Sequence, residues 1–394
     1  MEEWKKVKLS DIIALIGGGT PKTTVKEFWD GNIPWLSVKD FNNSGKYVYL
    51  TEKKITQQGL NNSSTKLLQK DDIIISARGT VGEMAMIPFP MTFNQSCYGI
   101  RGNEDVNQHF LYYLIKYKIG DIKSKTHGSV FDTITKDTFE NIICKIPSHY
   151  IQKQIAKILS SLDDKIALNT RINDNLEQQA ENLYNELFAN ESVSGLINLG
   201  DVVETTSGGT PSRSNPYFYK KGTLNWVKSK ELNGTFIINT EEFITDMAVR
   251  KSAAKMLPEN SVLIAMYGAT VGEYAIIFKQ MACNQAICAL LPSNNYPYTY
   301  LFMFAKRKKE ELINKAIGSA QQNISQILVK QLSISKNIEL IKKYDLIVYP
   351  FFEKIKKNVI EKESLSQLRD SLLSKLMSGE LKINDLNNYT YGRK

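Results

Sequence analysis

Two amide pairs, Asn94-Gln95 and Asn284-Gln285, stand 190 residues apart in this chain. Each side chain offers a donor and an acceptor, the combination that meets an adenine edge in the major groove. The same amides can equally cap a turn, and both readings stand at this level. A second group follows apolar runs in each half: Arg78 and Thr80 in Ala77-Arg78-Gly79-Thr80-Val81-Gly82-Glu83, and Tyr267 and Thr270 in Tyr267-Gly268-Ala269-Thr270-Val271-Gly272-Glu273. An arginine can take a guanine with two parallel hydrogen bonds. The glycines mark a tight hairpin or bulge whose shared residues can also be purely structural. At the offset of 190, Arg78 stands opposite Gly268, the kind of difference that two readers of different sequences would show.

A third group surrounds glycines. Gly17-Gly18-Gly19 leads into Thr20, Pro21, Lys22 and Thr23, and Gly208-Gly209 leads into Thr210, Pro211, Ser212 and Arg213. The first loop lacks the glycine that a P-loop places directly before its lysine, and Lys22 occupies the third glycine position of G-x-G-x-x-G. A nucleotide pocket is therefore not expected. The loops are either plain turns or a way to present backbone N–H groups to a DNA phosphate. Lys39 aligns with Lys230, with Lys228 nearby, as candidate phosphate contacts. Ser129 beside Gly128, and Gln321 and Gln322 after Gly318-Ser319, combine flexible backbone with polar side chains. Trp35 and Trp226 are expected in the core rather than as base-stacking platforms.

Catalytic chemistry is not legible. No nucleophile elbow, HExxH or duplicated carboxylate pair is present. Asn215-Pro216-Tyr217-Phe218 lacks the second proline of the motif with which amino-methyltransferases hold a target base, and it reads as loop. The four cysteines (Cys97, Cys144, Cys283, Cys288) have no CxxC spacing, and His109, His127 and His149 all fall in the first half. A duplicated metal site would need ligands in both halves, so none is expected, and the cysteines read as reduced core residues.

The elements that must position these residues form a repeat. Gly-Gly-Thr-Pro, Thr-Val-Gly-Glu, Asn-Gln and Gly-Ser all recur at an offset of 190, and Trp35 and Lys39 recur one residue further on as Trp226 and Lys230. A period this long means a duplicated module rather than a solenoid. Strands are expected over 48–50, 72–76 and 84–87, with counterparts over 235–238, 262–265 and 274–277. Matching helices are expected over 109–117 and 298–308. The net charge of +9 lies outside the two long helical segments, since 150–188 sums to −2 and 338–378 to +2. The excess sits in the globular modules and favours a polyanionic partner. No apolar run reads as a membrane span, and no signal peptide is evident, so a cytoplasmic protein is expected.

Each module ends in a heptad pattern. Leu162, Asn169, Leu176 and Leu183 fall seven apart, with Ile166 among the residues four positions later. The second helix repeats this with Phe351, Asn358, Leu365 and Leu372, with Ile355 in the alternate row, while Lys362 and Arg369 interrupt it. The two helices are expected to pair with each other, with the asparagines fixing register. Pro350 is expected to start or kink the second helix. A helix of about 35–39 residues spans roughly 50–58 Å, more than the roughly 34–36 Å of one DNA turn. Antiparallel pairing would place the modules at opposite ends about a pseudo-twofold axis.

The ordered set of motifs resembles the specificity subunits of type I restriction–modification enzymes. It comprises Gly-Gly-Thr-Pro with the Trp-containing strand at 33–36, then Thr-Val-Gly-Glu, Asn-Gln, the helix opening Gln154-Ile155-Ala156-Lys157-Ile158-Leu159, and the closing Leu372-Leu373-Ser374-Lys375-Leu376-Met377-Ser378-Gly379-Glu380-Leu381. The resemblance spans essentially the whole chain. It implies an α+β fold with a target recognition domain at 1–148, a spacer helix at 149–190, a second recognition domain at 191–337, a second spacer helix at 338–380 and a tail at 381–394. It further implies that each domain reads half of a bipartite double-stranded DNA target. Two modification subunits would dock on the helices and bring S-adenosylmethionine, while restriction subunits would bring ATP and Mg-dependent chemistry. This chain would bind no cofactor and catalyse nothing itself. The rival expectation is a coiled-coil adaptor with duplicated protein-binding modules and no DNA binding.

Overall fold

A computed structural model describes residues 4–41, 45–124, 133–188, 191–317 and 323–383. The chain divides into two compact units, residues 1–168 with 363–394 and residues 169–362. Residues 1–148 fall wholly in the first unit and 191–337 wholly in the second, and each unit also takes a share of both long helices.

In the first unit, Ile73-Ile74-Ile75 drives the central strand. β-branched residues favour extended backbone, and this run is buried on both faces. Ile73 and Ile75 join the core under the helix Gln108–Ser124 with Phe110, Leu111 and Ile115, whereas Ile74 joins Leu36, Leu68 and Phe93 on the opposite face. That alternation is the two-residue period of a strand. The four-stranded antiparallel sheet runs in the order Ile13–Gly17, Cys97–Gly102, Ile73–Ser76 and Met84–Met86. A three-stranded sheet beside it sets Trp29–Leu36 between Lys53–Ile55 and Thr92–Phe93. The strand expected over 48–50 does not form. Tyr47 makes a single bridge to Met86, Val48 is buried, and Tyr49 and Leu50 turn outward with no partner face to cover them.

The second unit repeats the plan. Val262 and Ile264 face the core under the helix Tyr298–Ile317, and Leu263 and Ala265 face the other way. Its sheet runs Thr205–Ser207, Ile287–Leu290, Val262–Ala265, Tyr274–Ile277 and Phe236–Ile237. The second sheet runs Phe243–Ile244, Leu224–Val227, Met281–Cys283 and Met256–Leu257. All four cysteines are buried and unbonded, and burial pushes their thiols up to about 11 or 12.

The long helices are His149–Phe188 and Ile338–Ser378. Within the second unit they pair antiparallel. Asn169 Nδ2 donates to Glu361 Oε2 at 2.8 Å, Asn358 Nδ2 to Asn173 Oδ1 at 2.7 Å, and Tyr344 Oη to the Ala180 carbonyl at 3.1 Å. The two asparagines at equivalent repeat positions are both buried, but each has a different partner and they do not meet each other. Within the first unit, Arg369 Nη1 donates to Asp163 Oδ1 at 2.8 Å.

The seam departs from a strict heptad. Ile166, Asn169, Ile355 and Asn358 are buried, whereas Leu162, Leu176, Leu183, Phe351, Leu365 and Leu372 are half-buried. Their neighbours Asp163, Tyr184, Phe352 and Leu373 take the buried places. A straight helix has 3.6 residues per turn, so a seven-residue stripe drifts around it and the next residue moves inward. Pro350 does not start the second helix, which begins twelve residues earlier at Ile338. Both Pro350 and Leu346, whose carbonyl the proline cannot bond, are exposed, so the missing hydrogen bond falls on the water-facing side.

Candidate nucleic-acid interface

The same frame is built twice. In the first unit Gly18 lies so close to Asn94 that a Cβ would collide with its carbonyl oxygen. Gly208 stands in the same relation to the carbonyl of Cys283. The next glycine N–H donates inward, Gly19 to the Phe93 carbonyl and Gly209 to the Cys283 carbonyl, both at 2.9 Å. These two N–H groups are therefore not presented to phosphate. Each glycine carbonyl accepts the indole N–H of the buried tryptophan, Trp35 at 2.9 Å and Trp226 at 3.0 Å. Thr20 then donates to Gln95, and Thr210 to Gln285.

The amides are committed in the same way in both units. Asn94 Oδ1 accepts from the Ser96 N–H at 3.1 Å, and Asn284 Oδ1 from the Ala286 N–H at 3.2 Å. Gln95 and Gln285 have Oε1 taken by the threonines. Each amide oxygen keeps a second lone pair, so these bonds orient the amides within the turn without exhausting the acceptor. The exposed Gln95 and Gln285 retain Nε2 as a donor, suited to a phosphate or a base acceptor.

Hydrogen bonds also correct the alignment of the hairpins. Ser76 and Ala265 each donate to the following glutamate carbonyl, Glu83 or Glu273, at 2.8 Å. Ala77 and Met266 donate to Ser96 and Ala286, each at 2.7 Å. Gly79 and Gly268 share positive φ, 79° and 64°. The offset before the turn is thus 189 rather than 190, Ala269 is an inserted residue, and the counterpart of Arg78 is Tyr267. Arg78 and Tyr267 are both exposed, as is Thr80. Thr270 instead donates to the Tyr267 carbonyl at 3.0 Å, which ties its hydroxyl into the turn.

In the first unit these parts surround a cleft of about 360 Å³ lined by Trp35, Ser37, Val38, Lys39, Glu52, Lys53, Arg78, Gly79, Asn94 and Ser96. Asp40 shapes it, accepting from the Ser37 N–H at 2.7 Å and the Glu52 N–H at 2.8 Å. Glu231 does the same in the second unit for Lys228 and Glu241, at 2.6 and 2.7 Å. Lys22 and Thr23 are exposed on the glycine loop.

The second unit differs in charge. Arg213 meets Glu242 at 2.6 Å, Lys228 meets Glu242 at 2.9 Å and Glu241 at 3.0 Å, and Lys230 meets Glu241 at 2.6 Å. The hydrogen bond from Lys228 holds the Glu242 carboxyl below its ordinary range, and that from Lys230, then Lys228, does so for Glu241. The Arg213 guanidinium carbon also lies 4.3 Å from the Tyr219 ring centroid, a cation–π contact. Ser212 and Ser214 hydroxyls lie 2.7 Å apart. Asn215 caps a helical turn at Pro216–Phe218 rather than a base pocket. Ser129, Gln321 and Gln322 lie outside the described residues.

Sequence reading missed Lys53, Glu241 and Glu242. Glu52-Lys53 and Glu241-Glu242 correspond at an offset of 189, one residue short of the 190 that the recurring motifs keep. Among the described residues, no group of three or more His, Cys, Asp or Glu can hold a metal ion, and no helix is long and apolar enough to cross a membrane.

The chain matches the family described as "Type I restriction modification DNA specificity domain" twice, over residues 1–178 and 194–336. It is 28% identical to the type I restriction enzyme MjaIX specificity subunit of Methanocaldococcus jannaschii, over 98% of this chain and 95% of that one. It is 24% identical to the HindI specificity subunit of Haemophilus influenzae, over 66% of this chain and 73% of that one. In fold it is similar to the crystal structure of a type I restriction–modification S subunit from M. genitalium, with a TM-score of 0.60, 16% identity and coverage of 95% and 96%. The chain belongs to this family, the specificity subunits that recognise DNA sequence in type I restriction–modification systems. The match decides against the adaptor reading.

Proposed function

We propose that each of the two units reads one half of a bipartite duplex target. The observation that carries this reading is the twice-built frame of glycine, tryptophan, threonine and amide, whose rims differ at Arg78 against Tyr267 and at Lys53 against Glu242. A shared frame places each reader alike, and different rim residues present different donors and acceptors to the bases. Lys22, Thr23, Lys39, Ser212 and Arg213 contact backbone phosphate, while Arg78 and Tyr267 approach base edges. Gln95 and Gln285 donate through Nε2.

On the same proposal, two modification subunits dock on the long helices and bring S-adenosylmethionine, and restriction subunits bring ATP and Mg. Catalysis resides in those partners, and the complex works in the cytoplasm. The inward bonding of the Gly19 and Gly209 N–H groups supports placing nucleotide chemistry in the partners. The test is co-expression with the cognate modification subunit and genome-wide mapping of methylated adenines. A two-part motif with a fixed gap is expected; a continuous motif, or no sequence preference, overturns the reading.

A further inference from the structure

Glu52 and Glu241 are equivalent positions, since each donates its backbone N–H to the carboxylate of Asp40 or Glu231. The residue that follows is Lys53 in one unit and Glu242 in the other. In the first unit Lys39, Lys53 and Arg78 line the cleft with Glu52, and none of the three is ion-paired among the described residues, although Lys53 Nζ lies 5.6 Å from the Trp29 ring centroid. In the second unit, Glu241 and Glu242 hold Arg213, Lys228 and Lys230 at 2.6–3.0 Å.

Resting on the DNA-recognition reading, we propose that the first unit is the electrostatic anchor on the duplex. Glu241 and Glu242 form a carboxylate clamp that withholds the second unit's cations until duplex phosphates displace it. The chemistry is an exchange of anions. A free lysine gains a phosphate and releases a counterion from DNA. A lysine already on a carboxylate must give up that pair first, so the net gain is smaller. The two glutamates also repel approaching phosphate. Arg213 is suited to such an exchange, because its guanidinium keeps a cation–π contact with Tyr219 while Nη2 donates to Glu242. Lys228 bridges both carboxylates, so displacing Glu242 loosens the whole cluster.

The test uses the full chain assembled with its modification subunits and a duplex carrying the mapped target, with affinity followed by anisotropy across a salt series. Glu241→Gln with Glu242→Gln should tighten binding roughly three- to tenfold and steepen the log–log salt dependence by about one to two. Lys39→Ala with Lys53→Ala should weaken binding at least about tenfold and flatten the slope by about two, since each phosphate left without its lysine lowers it by about 0.9. Lys53→Glu, which builds the clamp into the first unit, should weaken binding more than Lys53→Ala. Unchanged or weaker binding by the double glutamine variant, with an unaltered melting profile, overturns the clamp. Equal losses from alanine substitution of the cations in either unit overturn the anchor. Failure of the unmodified complex to bind its duplex would instead sink the recognition reading on which both rest.

Discussion

Asp163 and Arg369 form a largely buried ion pair in the first unit, 2.8 Å apart, with side chains 6% and 12% exposed. Tyr113 also donates to Asp163, and Arg369 reaches Asp370 at 2.9 Å. Burial alone would lower the guanidinium's pKa, but hydrogen bonds to Asp370 and Asp163 hold it above its ordinary value. The strict heptad passes over Asp163 in favour of Leu162.

Removing one partner strands the other away from water. Asp163→Leu or Arg369→Leu alone should cost about 3–5 kcal/mol. The double leucine variant should recover most of that loss, since an apolar pair of similar volume replaces a costly desolvated one. Denaturant unfolding of the three variants checks this; equal losses in all three would count against the pair acting as a unit.

Lys46 lies beside this network, 2.7 Å from Ser160 Oγ and 3.1 Å from His109 Nδ1. Burial lowers its pKa from 10.5 to about 8, against the opposing pull of Asp163, Asp164 and Asp71. A lysine whose folded pKa is depressed penalises the folded state below that pKa. The penalty is relieved as pH rises from about 8 to 10.5, where the unfolded chain holds the proton that the folded one has lost. Relative to Lys46→Met, the unsubstituted chain should therefore gain on the order of 3 kcal/mol across that window. The difference between the two stability–pH curves isolates Lys46 from the cysteines and tyrosines that titrate nearby. A flat difference contradicts the prediction.

Gly18→Ala and Gly208→Ala should each destabilise by about 1–3 kcal/mol or more, because the new methyl meets backbone that cannot step aside. Gly17→Ala meets nothing within 4 Å and should be near neutral. Melting temperatures of the three variants decide it.

Arg78→Ala and Tyr267→Ala should each blur one half of the target and leave the other intact, at a cost of about 1–3 kcal/mol in discrimination for Arg78. The readout is the methylated motif of the complex. A change confined to Gly268 is not the counterpart of Arg78, since φ of 64° there makes any side chain strained.

In the second unit, Asn358→Leu should cost about 1–3 kcal/mol by leaving the Asn173 amide unsatisfied. The Asn173→Leu, Asn358→Leu pair should restore stability. If the asparagines hold register, the double variant should also show a broadened, less cooperative unfolding transition.

Duplication, the two long helices, the buried tryptophans and the basic balance of the globular modules are all written in the chain itself. They arise from local periodicity, composition and recurrence, which need no partner from elsewhere in the sequence. The strand expected at 48–50 fails to form because β propensity is realised only where a neighbouring strand and a core face exist, and Tyr49 and Leu50 find neither. Which helix residue turns inward, Asp163 rather than Leu162, depends on drift around a straight helix and on Tyr113 and Arg369 arriving to satisfy it. Likewise, Arg78 answers to Tyr267 because ladder hydrogen bonds set the register, and a one-residue insertion shifts the numbering without shifting the ladder. Arg213, Lys228 and Lys230 look like free cations in sequence. Only folding brings Glu241 and Glu242, up to 29 residues away, within hydrogen-bonding reach.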